Sequence, residues 1–317
     1  MQTIAVALEA MATRFEIVVH GENPVSLRAA GEEALREIER LEARLSLFRA
    51  DSEIARVNAR AAREPVRVTP EVFALLDHAR RLSDETSGAF DITIAPLMRC
   101  WGFHGGSGKV PSPEAIAAAR ECVGIKLVEL DSQNFTVRFA RDGVMLDLGA
   151  IGKGFAVEQA ADILREAGVT SALIHGGTST AYAIGQPPDA DCWTVAIDRP
   201  APGGQASSKT LLTNVALKDE ALSVSAAWGK CFEAGGRVYG HEIDPRTGWP
   251  ASAAVLAAIA TASATESDAL STALITVGLA GHDSIACLRP RMRTLVAAQT
   301  TDGLKIASKG MMRIEAF

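Results

Sequence analysis

The stretch Asp147-Leu-Gly-Ala-Ile-Gly-Lys-Gly154 is rich in glycine and lies where a predicted strand gives way to a predicted helix. It follows an apolar run at 144–148, typical of a buried strand, and precedes a helical pattern at about 154–167. Its glycines let a ligand approach the backbone closely, and the helix start offers free N–H groups. The same glycines would also suit a strand–helix junction that binds nothing. Neither GxxxxGK[ST] nor GxGxxG is present, so neither common nucleotide-binding pattern applies.

Outward from this stretch, helical and strand patterns alternate without the regular strand–helix–strand rhythm of a parallel sheet. Helices are predicted at 26–45, from Pro70 to Ser87-Gly88, and at about 225–234 and about 265–278. Strands are predicted at 14–19, 125–130, 135–139, 144–148, 171–175, 193–197, 211–217 and 253–260. A surface loop is predicted at 198–209 and a turn at 244–250. This mixture favours an α+β fold.

The composition is that of an ordinary globular protein. The 317 residues are enough for a large core, built as a single unit at 1–317 or as two intertwined lobes, and no domain linker is evident. Hydrophobic residues make up 48% and charged residues 22%. The formal charge of −6 provides no general attraction to nucleic acid or anionic lipid. The five cysteines are scattered, which favours reduced thiols.

The N-terminal segment lacks the pattern of an export signal. Glu9, Arg14 and Glu16 interrupt its apolar residues, and no basic start precedes a long apolar run. We therefore expect neither a signal peptide nor a membrane span. The prediction is a cytoplasmic protein, with a periplasmic or membrane-tethered location as the alternative if a leader was removed.

A second pattern, Ser267-Asp268-Ala-Leu-Ser271-Thr272, offers oxygen ligands on a predicted helix. Asp268 and Thr272 are four residues apart and share one face, with Ser271 beside them. A carboxylate with hydroxyls suits Mg²⁺ or Ca²⁺ and is poor for zinc, although other oxygens would have to complete the shell. The alternative is an acidic residue that stabilises the dipole of a helix start.

A third pattern places a histidine ahead of a turn, in His241-Glu-Ile-Asp244-Pro245. This side chain is a candidate acid–base group, or a hydrogen-bond donor to a phosphate or a ring carbonyl. A structural histidine beside the turn is the alternative. The histidines at 20, 78, 104, 175 and 282 show no ligand-like spacing and are interpreted as surface or satisfied polar residues.

A fourth pattern combines Gly88-Ala-Phe-Asp91 with Trp101-Gly102-Phe103. Aromatic side chains beside a glycine turn are able to stack on a flat ring. They serve equally well as core residues, and the sequence leaves both interpretations open.

The order of these patterns along the chain resembles that of the ApbE family, the FAD:protein FMN transferases formerly labelled thiamine biosynthesis lipoproteins. The resemblance runs from about residue 10 to about residue 280. It rests on Met11-x-Thr13, Leu45-Ser-x-Phe48 with Asp51-Ser52, Gly88-Ala-Phe-Asp91 with Trp101-Gly102, Asp147-Leu-Gly-Ala-Ile-Gly-Lys-Gly154, His175-Gly-Gly177, His241-x-Ile-Asp-Pro245 with Thr247-Gly248, and Asp268-Ala-Leu-Ser-Thr272.

This resemblance implies a T-fold-like α+β architecture, with mixed or antiparallel sheets flanked by helices and a cleft for FAD. It also implies an enzyme that holds FAD and one Mg²⁺ (or Ca²⁺ or Mn²⁺), cleaves the diphosphate and attaches FMN to a threonine or serine of an acceptor flavoprotein, releasing AMP. No nucleic acid is implied as a partner.

The family's site residues carry over by position. His241 and Lys153 are the implied catalytic residues, and His241 is expected near the diphosphate. The residues implied to line the flavin or its phosphates are Met11, Phe48, Ala89, Phe90, Asp91 and Lys153. The implied metal ligands are the main-chain oxygen of Ala150 and the side chains of Asp268, Ser271 and Thr272.

One departure keeps other outcomes open. After His175-Gly-Gly177 the family usually continues with an acidic residue, whereas this chain has Thr178-Ser179-Thr180. The alternatives are an FAD pyrophosphatase that releases FMN and AMP because water replaces the protein hydroxyl, and a non-catalytic FAD-binding protein.

Overall fold

The structure is a computed structural model that describes residues 1–200 and 210–310. Its helices are α1 (Pro24–Leu45), α2 (Glu53–Arg60), α3 (Pro70–Glu85), α4 (Ala95–Cys100), α5 (Pro113–Arg120), α6 (Gly152–Glu166) and α7 (Ala264–Ala286). Its strands are β1 (Gln2–Ala10), β2 (Thr13–Gly21), β3 (Val66–Arg67), β4 (Val128–Asp131), β5 (Thr136–Phe139), β6 (Ala172–Gly176), β7 (Thr180–Ile184), β8 (Trp193–Asp198), β9 (Leu211–Leu217), β10 (Glu220–Ala226), β11 (Cys231–Ala234), β12 (Arg237–Gly240), β13 (Leu256–Thr261), β14 (Arg293–Thr300) and β15 (Gly303–Lys309).

An eight-stranded sheet forms the centre of the molecule. Its order is β1-β2-β6-β7-β10-β13-β14-β15, and every neighbouring pair is antiparallel. Because side chains alternate between the two faces of a strand, Phe15, Ile17 and Val19 of β2 all enter the core on one side. The predicted α+β fold with antiparallel sheets flanked by helices is confirmed.

Helices α1, α6 and α7 pack beside one another against the sheet. Helix α1 begins as capping rules predict, since the Asn23 side chain accepts hydrogen bonds from the N–H groups of Val25 and Ser26, and Pro24 occupies the first turn. Helix α7 breaks at Gly278, whose φ of 62° is non-helical. Within the described ranges, no helix combines the length and apolarity that crossing a bilayer requires.

Two smaller elements complete the walls around the site. The ribbon β8–β9 covers a second apolar cluster that contains Trp193, Leu212 and Leu222. The hairpin β11–β12 turns at Gly235-Gly236, both with positive φ, and places Phe232 and Tyr239 near the buried Trp101.

Two of the secondary-structure predictions are wrong. The helix predicted at 225–234 is instead the end of β10, a turn and strand β11. The Gly-Gly pair that follows is a hairpin signal, and packing between neighbouring strands overrides the weak helical preference. The predicted strand at 144–148 has no strand partner within the described residues; instead, the Asn58 amide bonds both the N–H and the C=O of Leu146. The predicted loop at 198–209 lies mostly outside the described residues.

Candidate functional site

A cavity of about 1370 Å³ lies next to four parts of the fold. They are the turn between β1 and β2, the C-terminal end of α1 with the residues that follow it, the start of α6 and the start of α7. This volume exceeds that of a typical drug-sized pocket and suits a long dinucleotide ligand. The predicted site residues that line it are Met11, Phe48, Ala89, Phe90, Asp91, Ala150, Lys153, His241, Asp268 and Thr272. Ser271 is fully buried and is not part of the lining.

The start of α7 is joined directly to the start of α6. Asp268 Oδ2 accepts a hydrogen bond from the backbone N–H of Gly154 at 2.8 Å. A Cβ at Gly154 would overlap the carbonyl oxygen of Ala264 and lie 2.6 Å from Asp268 Cβ, so the two helices meet only because this residue is glycine. The glycine-rich stretch therefore allows close packing of α6 against α7 and also lines the cavity.

The oxygen groups at this junction fit a hard cation. Asp268 Oδ1 has no hydrogen-bond partner among the described residues, and Thr272 lies one turn further along α7 on the cavity wall. Ser225 Oγ contacts the hydroxyls of Ser271 at 2.9 Å and Thr272 at 3.4 Å, which links β10 to this turn. In the described part of the chain, no cluster of three His, Cys, Asp or Glu competes for a metal. One carboxylate with hydroxyl and carbonyl oxygens suits Mg²⁺ rather than zinc.

Lys153 supplies positive charge at the α6 start. Its Nζ lies 3.1 Å from the carbonyl oxygen of Gly149, and the side chain is not fully buried. A lysine ammonium is favourable to an anion such as a phosphate. The free N–H groups predicted at this helix start are not found, because the N–H of Gly152 donates to Leu148 O and that of Gly154 to Asp268 Oδ2.

Phe48 is an exposed aromatic wall of the cavity. Its side chain is 74% exposed, which is unusual for a large apolar residue and leaves one ring face free. Met11 lies beside the last turn of α1, and its N–H donates to Oε1 of Glu42 in that turn at 2.6 Å. Met11 and Ala12 both have positive φ, so Glu42 stabilises a turn that ordinary residues rarely adopt.

Asp91 contributes to the site through the backbone that it holds. Its carboxylate accepts hydrogen bonds from Thr93 N and Oγ1, Ile125 N and Ser83 Oγ. Burial raises the pKa of Asp91, and these hydrogen bonds oppose that rise. The side chain thus fixes the loop that presents Ala89 to the cavity.

His241 follows strand β12 and enters the cavity wall from the opposite side. Its Nδ1 lies 3.1 Å from the carbonyl oxygen of Lys230, and its Nε2 lies 3.3 Å from Glu242 Oε1. Phe103 packs edge-on against the imidazole at 6.4 Å between ring centroids. Trp101 is fully buried and donates from Nε1 to Gly248 O at 2.8 Å, so it is a core residue and does not stack on a ligand. Phe103, by contrast, lines the cavity.

Several polar residues of the cavity lining are not among the predicted site residues. The sequence analysis interprets His104 and His175 as surface or satisfied polar residues and gives Asp147 and Glu42 no role, yet all four line the cavity. His104 Nε2 lies 2.8 Å from Asp147 Oδ2, a pairing across 43 residues that no local spacing signals. Burial lowers the pKa of His175, although Glu16 opposes this.

Comparison with known proteins matches this geometry to one family. The sequence profile of the ApbE family matches residues 11–295. The chain belongs to the ApbE family. An FAD:protein FMN transferase of Haemophilus influenzae is 31% identical over 264 residues, which cover 80% of this chain and 75% of the relative. One of Treponema pallidum is 32% identical over 291 residues, covering 87% and 79%.

Solved ApbE structures show the same fold. The ApbE protein of Thermotoga maritima superposes with a TM-score of 0.84 at 27% identity and covers 98% of this chain and 97% of its own. The flavin transferase ApbE of Vibrio cholerae gives 0.82 at 27% identity, with 97% of both chains covered. The resemblance seen in the sequence is confirmed, and with it the expected class of enzyme, a transferase.

Proposed function

We propose that this ApbE protein is a magnesium-dependent FAD:protein FMN transferase that attaches FMN to a serine or threonine hydroxyl of an acceptor flavoprotein. The observation that carries the proposal is the hydrogen bond between Asp268 and the N–H of Gly154. It holds a carboxylate suited to a hard cation close to Lys153, whose ammonium suits a phosphate. A dinucleotide with a diphosphate is the ligand that needs both groups.

The reaction is a displacement at phosphorus. The acceptor oxygen forms a bond to the phosphorus of the FMN half, the anhydride P–O bond to AMP breaks, and the hydroxyl proton passes to a base. Such a step needs alignment of the reacting atoms and neutralised phosphate oxygens more than it needs covalent help.

The cation would be held by Asp268 and Thr272, with the main-chain oxygen of Ala150. When bound, Mg²⁺ supplies charge stabilisation to the diphosphate oxygens. Ser271 lies behind these ligands and supports the α7 backbone that carries Asp268. Its hydroxyl donates to the Asp268 carbonyl oxygen at 2.9 Å and contacts Ser225.

Lys153 and His241 act on the reacting groups. Lys153 places its ammonium beside the phosphates and offsets the charge that develops on them. His241 takes the proton of the acceptor hydroxyl or stabilises the leaving group, since an imidazole exchanges protons near neutral pH. Its contacts with Lys230 and Glu242 restrain the ring in the cavity wall.

The flavin half occupies the aromatic end of the cavity. The exposed ring of Phe48 stacks on the flavin, and Met11 is an apolar neighbour. Ala89 and Phe90 are almost fully buried and support this end of the cavity from the core. Asp91 keeps the 89–91 segment in place through its buried hydrogen bonds.

Mass spectrometry of acceptor peptides tests the proposal. The protein is incubated with FAD and Mg²⁺ and a panel of peptides that each carry one Thr or Ser, beside matched peptides with Ala at that position. We expect one FMN added only to hydroxyl peptides, with AMP released, and loss of the reaction in EDTA. FMN and AMP without an adduct would identify an FAD pyrophosphatase, and intact FAD a binding protein. Ca²⁺ and Mn²⁺ in place of Mg²⁺ define the cation.

A further inference from the structure

The hairpin β11–β12 has a free edge beside the cavity. Within the described ranges, its two strands pair only with each other and form a separate two-stranded sheet. The hydrogen bond from His241 N to Lys230 O at 2.9 Å makes these residues a hydrogen-bonded pair, and such pairs alternate along an antiparallel ladder. The backbone N–H and C=O groups of Cys231 and Glu233 in β11 therefore point away from β12.

These outward groups have no partner in the part of the chain that the structure describes. No backbone or side-chain hydrogen bond joins Cys231 or Glu233 to a segment outside the hairpin, and both residues are exposed. The other edge is more crowded, since a Cβ at Gly240 of β12 would lie 2.8 Å from the carbonyl oxygen of Ala227. An exposed row of N–H and C=O groups is a template on which an extended peptide adds as a further strand.

The inner face of the hairpin is packed against the core, which keeps this edge in place. Phe232 and Tyr239 stack with 5.4 Å between ring centroids, and both lie against the buried Trp101. A Cβ at Gly108 would overlap the Phe232 ring, so the loop before α5 packs tightly on this face. The outer face carries Val238, which is 54% exposed. An incoming strand would meet a preformed edge and an apolar side chain.

The start of β11 lies against the imidazole of His241. The ring reaches across the hairpin, since its Nδ1 lies 3.1 Å from Lys230 O and a Cβ at Gly229 would be 3.0 Å from its Cε1. His241, Gly229 and Lys230 all line the cavity. A strand that runs along β11 therefore leads to the cavity wall at the imidazole proposed to act on the acceptor hydroxyl.

We propose that the edge of β11 binds an extended segment of the acceptor flavoprotein as an added strand, which brings its serine or threonine hydroxyl to His241. The backbone groups of Cys231 and Glu233 pair with alternate residues of that segment. This occupant follows from the proposed reaction, because its second substrate is a protein hydroxyl that has to enter the cavity beside His241. The inference rests on the proposed function in this respect.

The test measures binding of fluorescein-labelled acceptor peptides by anisotropy, with FAD and EDTA present so that no turnover occurs. Peptides with Ala in place of Ser or Thr are included, because strand pairing does not need the hydroxyl. Methylation of single backbone nitrogens in the peptide should weaken binding to the wild-type protein at least about tenfold at every second position of the paired segment. The intervening positions should tolerate methylation, since their N–H groups point away from β11.

One substitution removes a hydrogen-bond donor from the edge. Glu233→Pro loses the outward N–H and keeps the hydrogen bonds within the hairpin, because proline is tolerated on an edge strand where the N–H faces solvent. Peptide binding should weaken at least about tenfold and KM for the peptide should rise by the same factor, with FAD affinity unchanged. Glu233→Ala is the matched control. It removes the same side chain but keeps the N–H, so it should weaken peptide binding far less.

Other outcomes would overturn the assignment. Absence of peptide binding, or equal effects of methylation at every position, refutes strand addition without any variant, so a failure of Glu233→Pro to fold leaves the test intact. Weakening by Val238→Ser but not by Glu233→Pro would place the acceptor on the outer face instead. A dimer in sedimentation that Glu233→Pro dissociates would make a second copy of the chain the occupant.

Failure of this inference and failure of the proposed function give different results. Peptide binding with a period of two but without FMN transfer would refute the proposed function alone. FMN transfer to peptides whose binding lacks that period would refute the inference alone.

Discussion

Asp268 and Gly154 join two helix starts through one hydrogen bond of 2.8 Å, across 114 residues of sequence. The contact brings the carboxylate of α7 to the glycine-rich start of α6 and holds both at the cavity wall. Its consequences for catalysis and for packing are separable, because the carboxylate charge and the glycine backbone are changed by different substitutions.

Removing the charge of Asp268 should abolish metal-dependent turnover. Asp268→Asn keeps an oxygen that accepts from Gly154 N but loses the anionic ligand, so we expect FMN transfer to fall by at least about a hundredfold while the fold persists. Transfer to an acceptor peptide is measured against Mg²⁺ concentration. Asp283→Asn, on the same helix with a side chain 99% exposed, is the matched control and should behave as wild type. Unchanged transfer in Asp268→Asn would refute the metal assignment.

Adding a methyl group at Gly154 should destabilise the fold. In Gly154→Ala the new Cβ overlaps the Ala264 carbonyl oxygen, and we expect a loss of about 2–3 kcal/mol in the free energy of unfolding. Gly152→Ala is the control, since the nearest atom to its Cβ is Leu148 Cβ at 3.8 Å and its φ is not positive. Urea unfolding should show Gly152→Ala as neutral or slightly more stable. Equal stability of both variants would mean that α6 and α7 do not meet as closely as described.

Replacing His241 should reduce the chemical step and leave FAD binding nearly intact. For His241→Gln we expect kcat to fall by about a hundredfold, as is usual when a general acid–base group is lost. FAD affinity is measured separately by calorimetry in EDTA. His20→Gln, on β2 and paired with Thr3, lies outside the cavity lining and is the control. A fall in FAD affinity that accounts for the whole loss of activity would make His241 a binding residue instead.

Acid should weaken the attachment of α7 to α3. Burial by itself would raise the pKa of Glu266, but hydrogen bonds from His78 and Arg289 outweigh it and lower the pKa from 4.5 to about 2. The ionised carboxylate therefore stabilises the fold above pH 4.5, and this contribution is lost as the pH falls towards about 2. Because partial exposure screens the interaction, we expect a loss of about 2 kcal/mol.

The measurement is urea unfolding of wild type and Glu266→Gln between pH 7 and pH 2.5. The variant should be less stable at pH 7 and approach wild type in acid, whereas the control Asp302→Asn at an exposed turn should follow wild type throughout. Parallel curves for wild type and Glu266→Gln would exclude this carboxylate as a source of the acid sensitivity.

Local chemistry made several elements predictable from sequence. Helix α3 begins at Pro70 after Thr69, and the break in α7 falls at Gly278, where the predicted helix ended. These signals act within a few residues, where φ restrictions and caps decide the conformation. The sequence patterns predict neither β14 nor β15, and they favour a helix at about 225–234, where β10 ends and β11 follows. Strand preference depends on neighbours across the sheet, which the local sequence does not contain.

The order of the motifs along the chain was enough to identify the family, and ten of the predicted site residues line one cavity. How those motifs meet depends on packing between distant segments. In the fold, Asp268 accepts a hydrogen bond from Gly154 N, Ser271 lies behind the cavity lining, and His104 contacts Asp147. The reason is physical: periodicity and turn chemistry act over a few residues, whereas contacts between distant residues are fixed by the packing of helices on a sheet and the closing of long loops.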